Sequence, residues 1–301
     1  MSEARNNPVR ISLLTACLNS EKTIERTLKS IEMQKYAGLE YIVIDGGSTD
    51  GTLAILQKYG HLTSKVISEK DKNIPNAYNK GFHHATGDVF CWLNADDEFT
   101  ENALLFVADF FAKHPDVDVL TGGCKRIFAD GSTRITQVPA RFRETMALRN
   151  NIEQPSTFWR ADIHRKAGVL DESYFLAFDW EWWNRLHSVS ARFCTTNQVL
   201  SVYHFTNENL TSRAGQKVID ELYRITKQYG PLGVADAYRF IFRHFDLKGC
   251  CDAPASNAPR WRRILLRMAQ RALRIFLGRE EINAYNWNWA SKQIRGITWY
   301  K

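Results

Sequence analysis

Two adjacent carboxylates, Asp96 and Asp97, close the run Phe90-Cys91-Trp92-Leu93-Asn94-Ala95. The apolar part of that run reads as a buried strand, so the acids stand at its carboxyl end, where like charges repel. Such a pair is costly unless a cation, a hydrogen-bond donor or a polyol meets it. The chemistry this residue set suits is the grip of a metal-bound phosphate or a sugar. The pattern recurs upstream. Ile11–Leu18 reads as a strand that stops at Asn19-Ser20, and Tyr41–Ile44 as one that stops at Asp45-Gly46-Gly47. A weaker strand, Lys65–Ser68, leads into Glu69-Lys70-Asp71-Lys72. Asn19, Asp45, Asp71 and Asp96 thus fall at four strand ends.

Helices must separate those strands. Ile24, Leu28 and Ile31 share one helical face, with Ser20 as the expected N-cap. Thr52–Tyr59 and Pro75–Ala85 form the next two helices. Strand–helix alternation implies an α/β fold with a parallel, doubly wound sheet. In such sheets ligands bind beyond the carboxyl ends of the strands, so the four polar residues are expected to converge on one crevice. Thr100 is expected to cap a helix ended by Pro115, Val117–Leu120 to form a strand, and Lys125–Val138 a hairpin around Asp130-Gly131. A helix is expected from Asp179 to Leu186.

The chain has 301 residues, 44% of them hydrophobic, and a net charge of +7. That is enough for one large domain or two small ones with a substantial core. The expected division is a domain over residues 9–225, with halves 9–100 and 101–225, and a C-terminal extension over 230–301. Cys17, Cys91, Cys124, Cys194, Cys250 and Cys251 show no zinc spacing, and the cysteine usage suits a reducing, cytoplasmic compartment. The N-terminus does not read as a signal peptide, and no run of roughly 18 apolar residues suggests a membrane span.

Much of the positive charge lies between Arg260 and Arg279. Trp261, Ile264, Leu265, Met268, Ala272, Ile275 and Phe276 recur there at helical spacing, with arginines filling much of the remainder. A basic amphipathic helix of this kind is a peripheral membrane-surface element, or else a helix packed on the domain with a solvated arginine face. Nucleic-acid binding is not expected, because no nucleic-acid motif accompanies the charge.

Three ordered motifs carry a family resemblance. Ile42-Val43-Ile44-Asp45-Gly46-Gly47-Ser48-Thr49-Asp50-Gly51-Thr52 is the first. Ser68-Glu69-Lys70-Asp71-Lys72 followed by Asn76-Ala77-Tyr78-Asn79-Lys80-Gly81 is the second. Ala85-Thr86-Gly87-Asp88 leading to Leu93-Asn94-Ala95-Asp96-Asp97 is the third. Together they resemble the signatures of family 2 glycosyltransferases, of the bacterial surface-polysaccharide type. The resemblance is dense over residues 10–100 and thinner to about 215. It implies a GT-A, Rossmann-like, mostly parallel sheet flanked by helices, here with a C-terminal helical extension. It also implies a metal-dependent enzyme that uses a nucleotide-diphospho-sugar donor and a saccharide or lipid-linked saccharide acceptor.

The same resemblance implies roles. Asn19, Asp45, Asp71, Asn79, Lys80, Asn94 and Asp97 would bind the nucleotide-sugar. Asp96 would hold Mn2+ or Mg2+, with His204 as a further metal or diphosphate contact. Asn94 departs from the commoner acid, so one negative charge is missing from the metal site. Asp179 would be the catalytic base, as the first acid of Asp179-Trp180-Glu181-Trp182-Trp183, with Glu181 in reserve. Gln154 would bind acceptor, and Trp180 and Trp182 would stack on a sugar face or pack in the core.

The expected activity is inverting transfer of a single sugar, since neither a Gln-x-x-Arg-Trp element nor membrane-spanning helices accompany the motifs. Two alternatives stay open. A nucleotidyltransferase would use a similar sheet and acid pair, although the first strand has no glycine-rich loop after it. A non-catalytic membrane-surface scaffold of the same fold is the other.

Overall fold

The computed structural model describes residues 8–148, 150–205, 215–230 and 235–236. The basic segment 260–279 and the vicinal pair Cys250-Cys251 lie outside the described residues. The chain divides into two compact units, Met1–Ala140 with Ile152–Arg213, and Arg141–Asn151 with Ala214–Lys301.

The first unit begins with β1 (Ile11–Cys17), α1 (Ile24–Glu32), β2 (Leu39–Asp45), α2 (Thr52–Lys58), β3 (Lys65–Ser68), α3 (Ile74–His84) and β4 (Val89–Trp92). These strands lie in the order β3-β2-β1-β4, all parallel. Register sets Cys17 opposite Asp45, and Asp45 opposite Ser68. The polar segments that follow therefore share one edge of the sheet. β1, β2 and β4 are buried on both faces, as crossover helices require. One face packs Leu13, Tyr41 and Val43 with Ile24, Leu28 and Leu56. On the other, α3 sits so close that a Cβ on Gly81 would lie 2.6 Å from both Leu14 Cδ2 and Ile44 Cδ1.

The chain continues through β5 (Glu98–Phe99), α4 (Ala103–Lys113), β6 (Val119–Phe128) and β7 (Thr133–Thr136). β6 and β7 form the expected hairpin, and Gly131 supplies the positive φ of its turn. The helix α5 (Phe142–Thr145) belongs to the second unit. After a 3-10 turn at Gln154–Ser156 come β8 (Thr157–Arg160), α6 (Ala161–Ala167), α7 (Phe178–Ser188) and β9 (Phe193–Phe205). Beyond β4 the sheet runs β8-β6-β9-β5 and turns mixed. β8 is antiparallel to both β4 and β6, and β5 is antiparallel to β9, whereas β6 and β9 are parallel. The mostly parallel sheet that was expected is parallel through its first four strands.

Two elements start later than expected. The helix foreseen at Ser20 is preceded by a turn in which Ser20 O accepts from the N–H groups of Thr23 and Ile24, and Thr23 is the N-cap. Likewise Thr100 O accepts from Ala103 N ahead of α4. In the second unit, α5 is joined by α8 (Gly215–Tyr229), where Ile225 is fully buried and Thr226 Oγ1 donates to Ala147 O.

Candidate active site

The loops after β1 and β2 are stitched together by Asn19. Its φ of +50° is one that asparagine tolerates. Its backbone N–H donates to Ser48 Oγ at 2.8 Å, and its Oδ1 accepts from Thr49 N at 2.8 Å. Asp45 is fully buried at the end of β2. Its carboxylate accepts from the N–H groups of Gly47 and Ser48 at 3.2 Å and from Ser68 Oγ at 2.7 Å. Those bonds brace the turn between strands, and Gly47 takes the positive φ that the turn requires. Burial, with Asp45 beside it, raises the Cys17 thiol pKa, so the sulfur stays neutral.

Asp71 reaches the same edge. Its Oδ2 lies 3.1 Å from where a Cβ on Gly46 would sit, and its Oδ1 pairs with Lys80 Nζ at 2.8 Å. Lys80 also pairs with Glu69 at 2.7 Å, and these hydrogen bonds raise its pKa above the ordinary lysine value. Asn19, Asp45, Asp71 and Lys80 thus form one connected group.

A second group surrounds the adjacent acids after β4. Two α1 side chains hold their carbonyls: Arg26 Nη2 donates to Asp96 O at 2.9 Å, and Thr27 Oγ1 to Asp97 O at 2.7 Å. The Asp97 side chain is fully buried, and burial, then the Asp96 charge, pushes its pKa well up. One of its oxygens accepts from Asn94 Nδ2 at 3.1 Å, while Oδ1 is buried with no hydrogen-bond partner. Asn94 is a hub. Its Oδ1 accepts from Tyr78 Oη at 2.9 Å, and its Nδ2 also donates to Gln154 Oε1 at 2.8 Å.

Among the described residues, no group of three or more His, Cys, Asp or Glu side chains could cage an ion. The Asp96–Asp97 pair, with an orphaned buried oxygen, instead fits a hydrated hard cation that brings phosphate oxygens with it. His204 was expected at the metal. Its Nε2 faces Glu98 Oε1 at 2.5 Å, and Arg26 Nε is 3.4 Å from the same oxygen, so only Nδ1 is left for a further contact.

Other expected site residues are held by protein partners. Asn79 spends its amide on Leu170, accepting from its N–H at 2.8 Å and donating to its O at 2.9 Å, so it braces the segment before α7. Gln154 bonds at both ends, with Nε2 donating to Trp92 O at 2.9 Å and Oε1 accepting from Asn94. It supports the acid turn. Trp180 and Trp182 are buried and offer no face to a sugar; Trp182 packs against Trp159 and His164. Glu181 is buried in an ion pair with Arg185 and is poorly placed to serve as a reserve base.

Asp179 is half-buried in the first turn of α7. The preceding Phe178 ring lies 5.9 Å from Trp92 and 6.1 Å from Tyr78, which anchors that turn beside the residues that support Asn94. Tyr78, Arg26 and Glu98 escaped the sequence reading. A tyrosine at a buried helix position, and an arginine on the α1 face beside Thr27, were the available signals.

Residues 12–162 match the description Glycosyl transferase family 2. The chain is 29% identical over 175 residues to an uncharacterised glycosyltransferase of Mycobacterium tuberculosis, covering 57% of this chain and 66% of that protein, just under two thirds. It is 32% identical over 114 residues to a poly-beta-1,6-N-acetyl-D-glucosamine synthase of Staphylococcus epidermidis, covering 37% of this chain and 28% of that one. In three dimensions it resembles S. aureus TarS in complex with UDP-GlcNAc, with a TM-score of 0.63, 18% identity and coverage of 96% and 89% of the two chains. It also resembles the mannosyltransferase PcManGT of Pyrobaculum calidifontis in complex with GDP-Man and Mn2+, with a TM-score of 0.61, 16% identity and coverage of 97% and 86%. At those identities the structural likeness establishes the fold, a GT-A α/β fold. With half of its length matched by the family description, the chain belongs to glycosyltransferase family 2.

Proposed function

We propose that this chain is an inverting glycosyltransferase. It moves one sugar from a nucleotide-diphospho-sugar to a hydroxyl of a saccharide or lipid-linked saccharide, in cell-surface polysaccharide or glycolipid assembly. The observation that carries the reading is the Asp96–Asp97 pair, held by its backbone on α1 at the carboxyl edge of the sheet, within a chain of this family. The name of the S. epidermidis relative supports the polysaccharide class. The family match also weighs against a nucleotidyltransferase.

In this reading, Asn19 and Asp71 with Lys80 frame the nucleotide, while Asp45, expected to touch it, is fully buried and acts by keeping the turn in shape. Asp179 takes the proton from the acceptor hydroxyl. The hydroxyl oxygen bonds to the anomeric carbon from the face opposite the diphosphate, as the carbon–diphosphate bond breaks. Bound Mn2+ or Mg2+, held by Asp96 with Asp97 behind it, would offset the charge of the leaving diphosphate. Mn2+ beside GDP-Man in the Pyrobaculum neighbour supports that assignment. No helix among the described residues is long and apolar enough to cross a membrane. A peripheral seat on anionic lipid through residues 260–279 is also part of the proposal, on sequence pattern alone.

The test is release of nucleoside diphosphate from a panel of nucleotide-sugars, with and without Mn2+. Asp96→Ala is expected to abolish release and leave the melting temperature nearly unchanged. Full activity in that folded variant would overturn the metal assignment. Absence of turnover with every donor would instead favour a non-catalytic scaffold.

A further inference from the structure

The lead into α7 is gripped from two neighbouring helices. On α3, Asn79 pairs with both backbone groups of Leu170. Its amide also donates to Glu172 Oε1 at 3.2 Å, beside Asn76 Nδ2, which reaches the same oxygen at 3.1 Å. Asn73 Nδ2 donates to Glu172 O at 2.7 Å. The three asparagines recur every third residue, so they rise along one side of the helix entry. On α7, Arg185 donates to Val169 O while its other nitrogens hold Glu181. The hydrogen bonds from Asn76 and Asn79 lower the Glu172 pKa, so the acceptor of this clamp is a carboxylate.

Apolar burial anchors the segment only in part. Leu170 and Tyr174 are buried, whereas Val169 is 66% and Phe175 40% exposed. Meanwhile α3 carries Tyr78, bonded to Asn94, and Lys80, paired with Asp71. One helix therefore touches the nucleotide edge, the acid turn and the segment that delivers Asp179.

We propose that Glu172 is a positioning residue that, through Asn76 and Asn79, locks the lead into α7 onto α3 and so sets Asp179 against the donor. The inference rests on the reading of Asp179 as the base. Misplacing a reacting group by about 1 Å costs on the order of 100-fold in rate, so a clamp of this kind acts on turnover rather than on donor affinity.

The experiment compares Glu172→Ala and Glu172→Gln in the full chain with nucleotide-sugar and Mn2+. Glu172→Ala is expected to lower kcat by about 10-fold or more while donor KM stays within about twofold. Glu172→Gln is expected to keep most of the turnover, because its amide oxygen still accepts from Asn76 and Asn79. Hydrogen exchange without substrate is the second readout. Amides of Phe178–Trp182 should exchange faster in Glu172→Ala, with those of β1 and β2 unchanged. Unaltered exchange in α7, or an unaltered kcat, would overturn the proposal, as would a glutamine variant no better than alanine. Exchange decides the clamp even when the wild type shows no turnover, a result that would count against the proposed function instead. If Glu172→Ala does not fold, Asn76→Ala removes one of the two bonds and is judged by the same readouts.

Discussion

Asn94 donates its amide to Gln154 Oε1 at 2.8 Å, and Gln154 passes the contact on to Trp92 O at 2.9 Å. An acid at position 94 would set two acceptors against each other. Turning Gln154 to correct this would leave the Trp92 carbonyl unpaired. Asn94→Asp is therefore expected to destabilise the fold by about 1–3 kcal/mol, read as a lower melting temperature. The added charge should lower the Mn2+ concentration needed for half-maximal turnover. Equal stability with an unchanged Mn2+ requirement would contradict both halves.

Gly46 leaves room for Asp71. A methyl at that position would stand 3.1 Å from Asp71 Oδ2, so the carboxylate and its Lys80 partner must shift. Gly46→Ala is expected to raise donor KM by about tenfold, the equivalent of ~1.4 kcal/mol, with kcat largely kept. Steady-state kinetics on a donor titration checks it, and an unmoved KM would detach Asp71 from the nucleotide.

Asp179→Asn is expected to bind donor as the wild type does and to lose turnover by about 100-fold or more, the usual weight of a general base. Calorimetric titration with donor, alongside single-turnover rates, separates the two quantities. Because Glu181 is held by Arg185, preserved turnover would send the search for a base outside α7.

His164 lies between Phe82, Trp159 and Trp182, and accepts from Trp159 Nε1 at 3.2 Å. Burial, then the Arg185 and Arg165 charges, lowers its pKa from 6.5 to about 4. Between those values the unfolded chain binds the proton and the folded chain does not. Stability is then complete above about pH 6.5 and declines as pH falls toward 4, by on the order of 3 kcal/mol. Melting temperatures across that range should fall more steeply for the wild type than for His164→Gln. Parallel slopes would show that another group carries the acid response.

The parallel half was legible because β1, β2 and β4 are apolar runs ending in polar residues, and α1 and α3 show clean helical spacing. β8, α6 and β9 were not. β9 contains Thr195-Thr196-Asn197-Gln198, whose polarity hides a strand that is buried only at Phe193 and at Leu200-Ser201. The acids stood out because charge at a strand end is costly in any context. The amides' partners were not legible because Asn79 and Gln154 bond equally well to a ligand or to a backbone, and sequence does not name the partner. The indoles of Trp180 and Trp182 left two readings open for a similar reason, since a ring that suits a sugar face also fills a core, where both lie.

The antiparallel strand β8 is the wall against which Trp92 rests: its Trp159 ring lies 4.8 Å away, with Trp183 of α7 at 5.5 Å. During synthesis the ribosome releases the first four strands well before either partner emerges. The nascent chain then shows water an aromatic flank on β4 that only later residues cover, a window in which chaperones and aggregation compete for it. A fragment cut near residue 110 would keep the nucleotide loops yet carry that flank permanently bare, and its solubility would suffer accordingly.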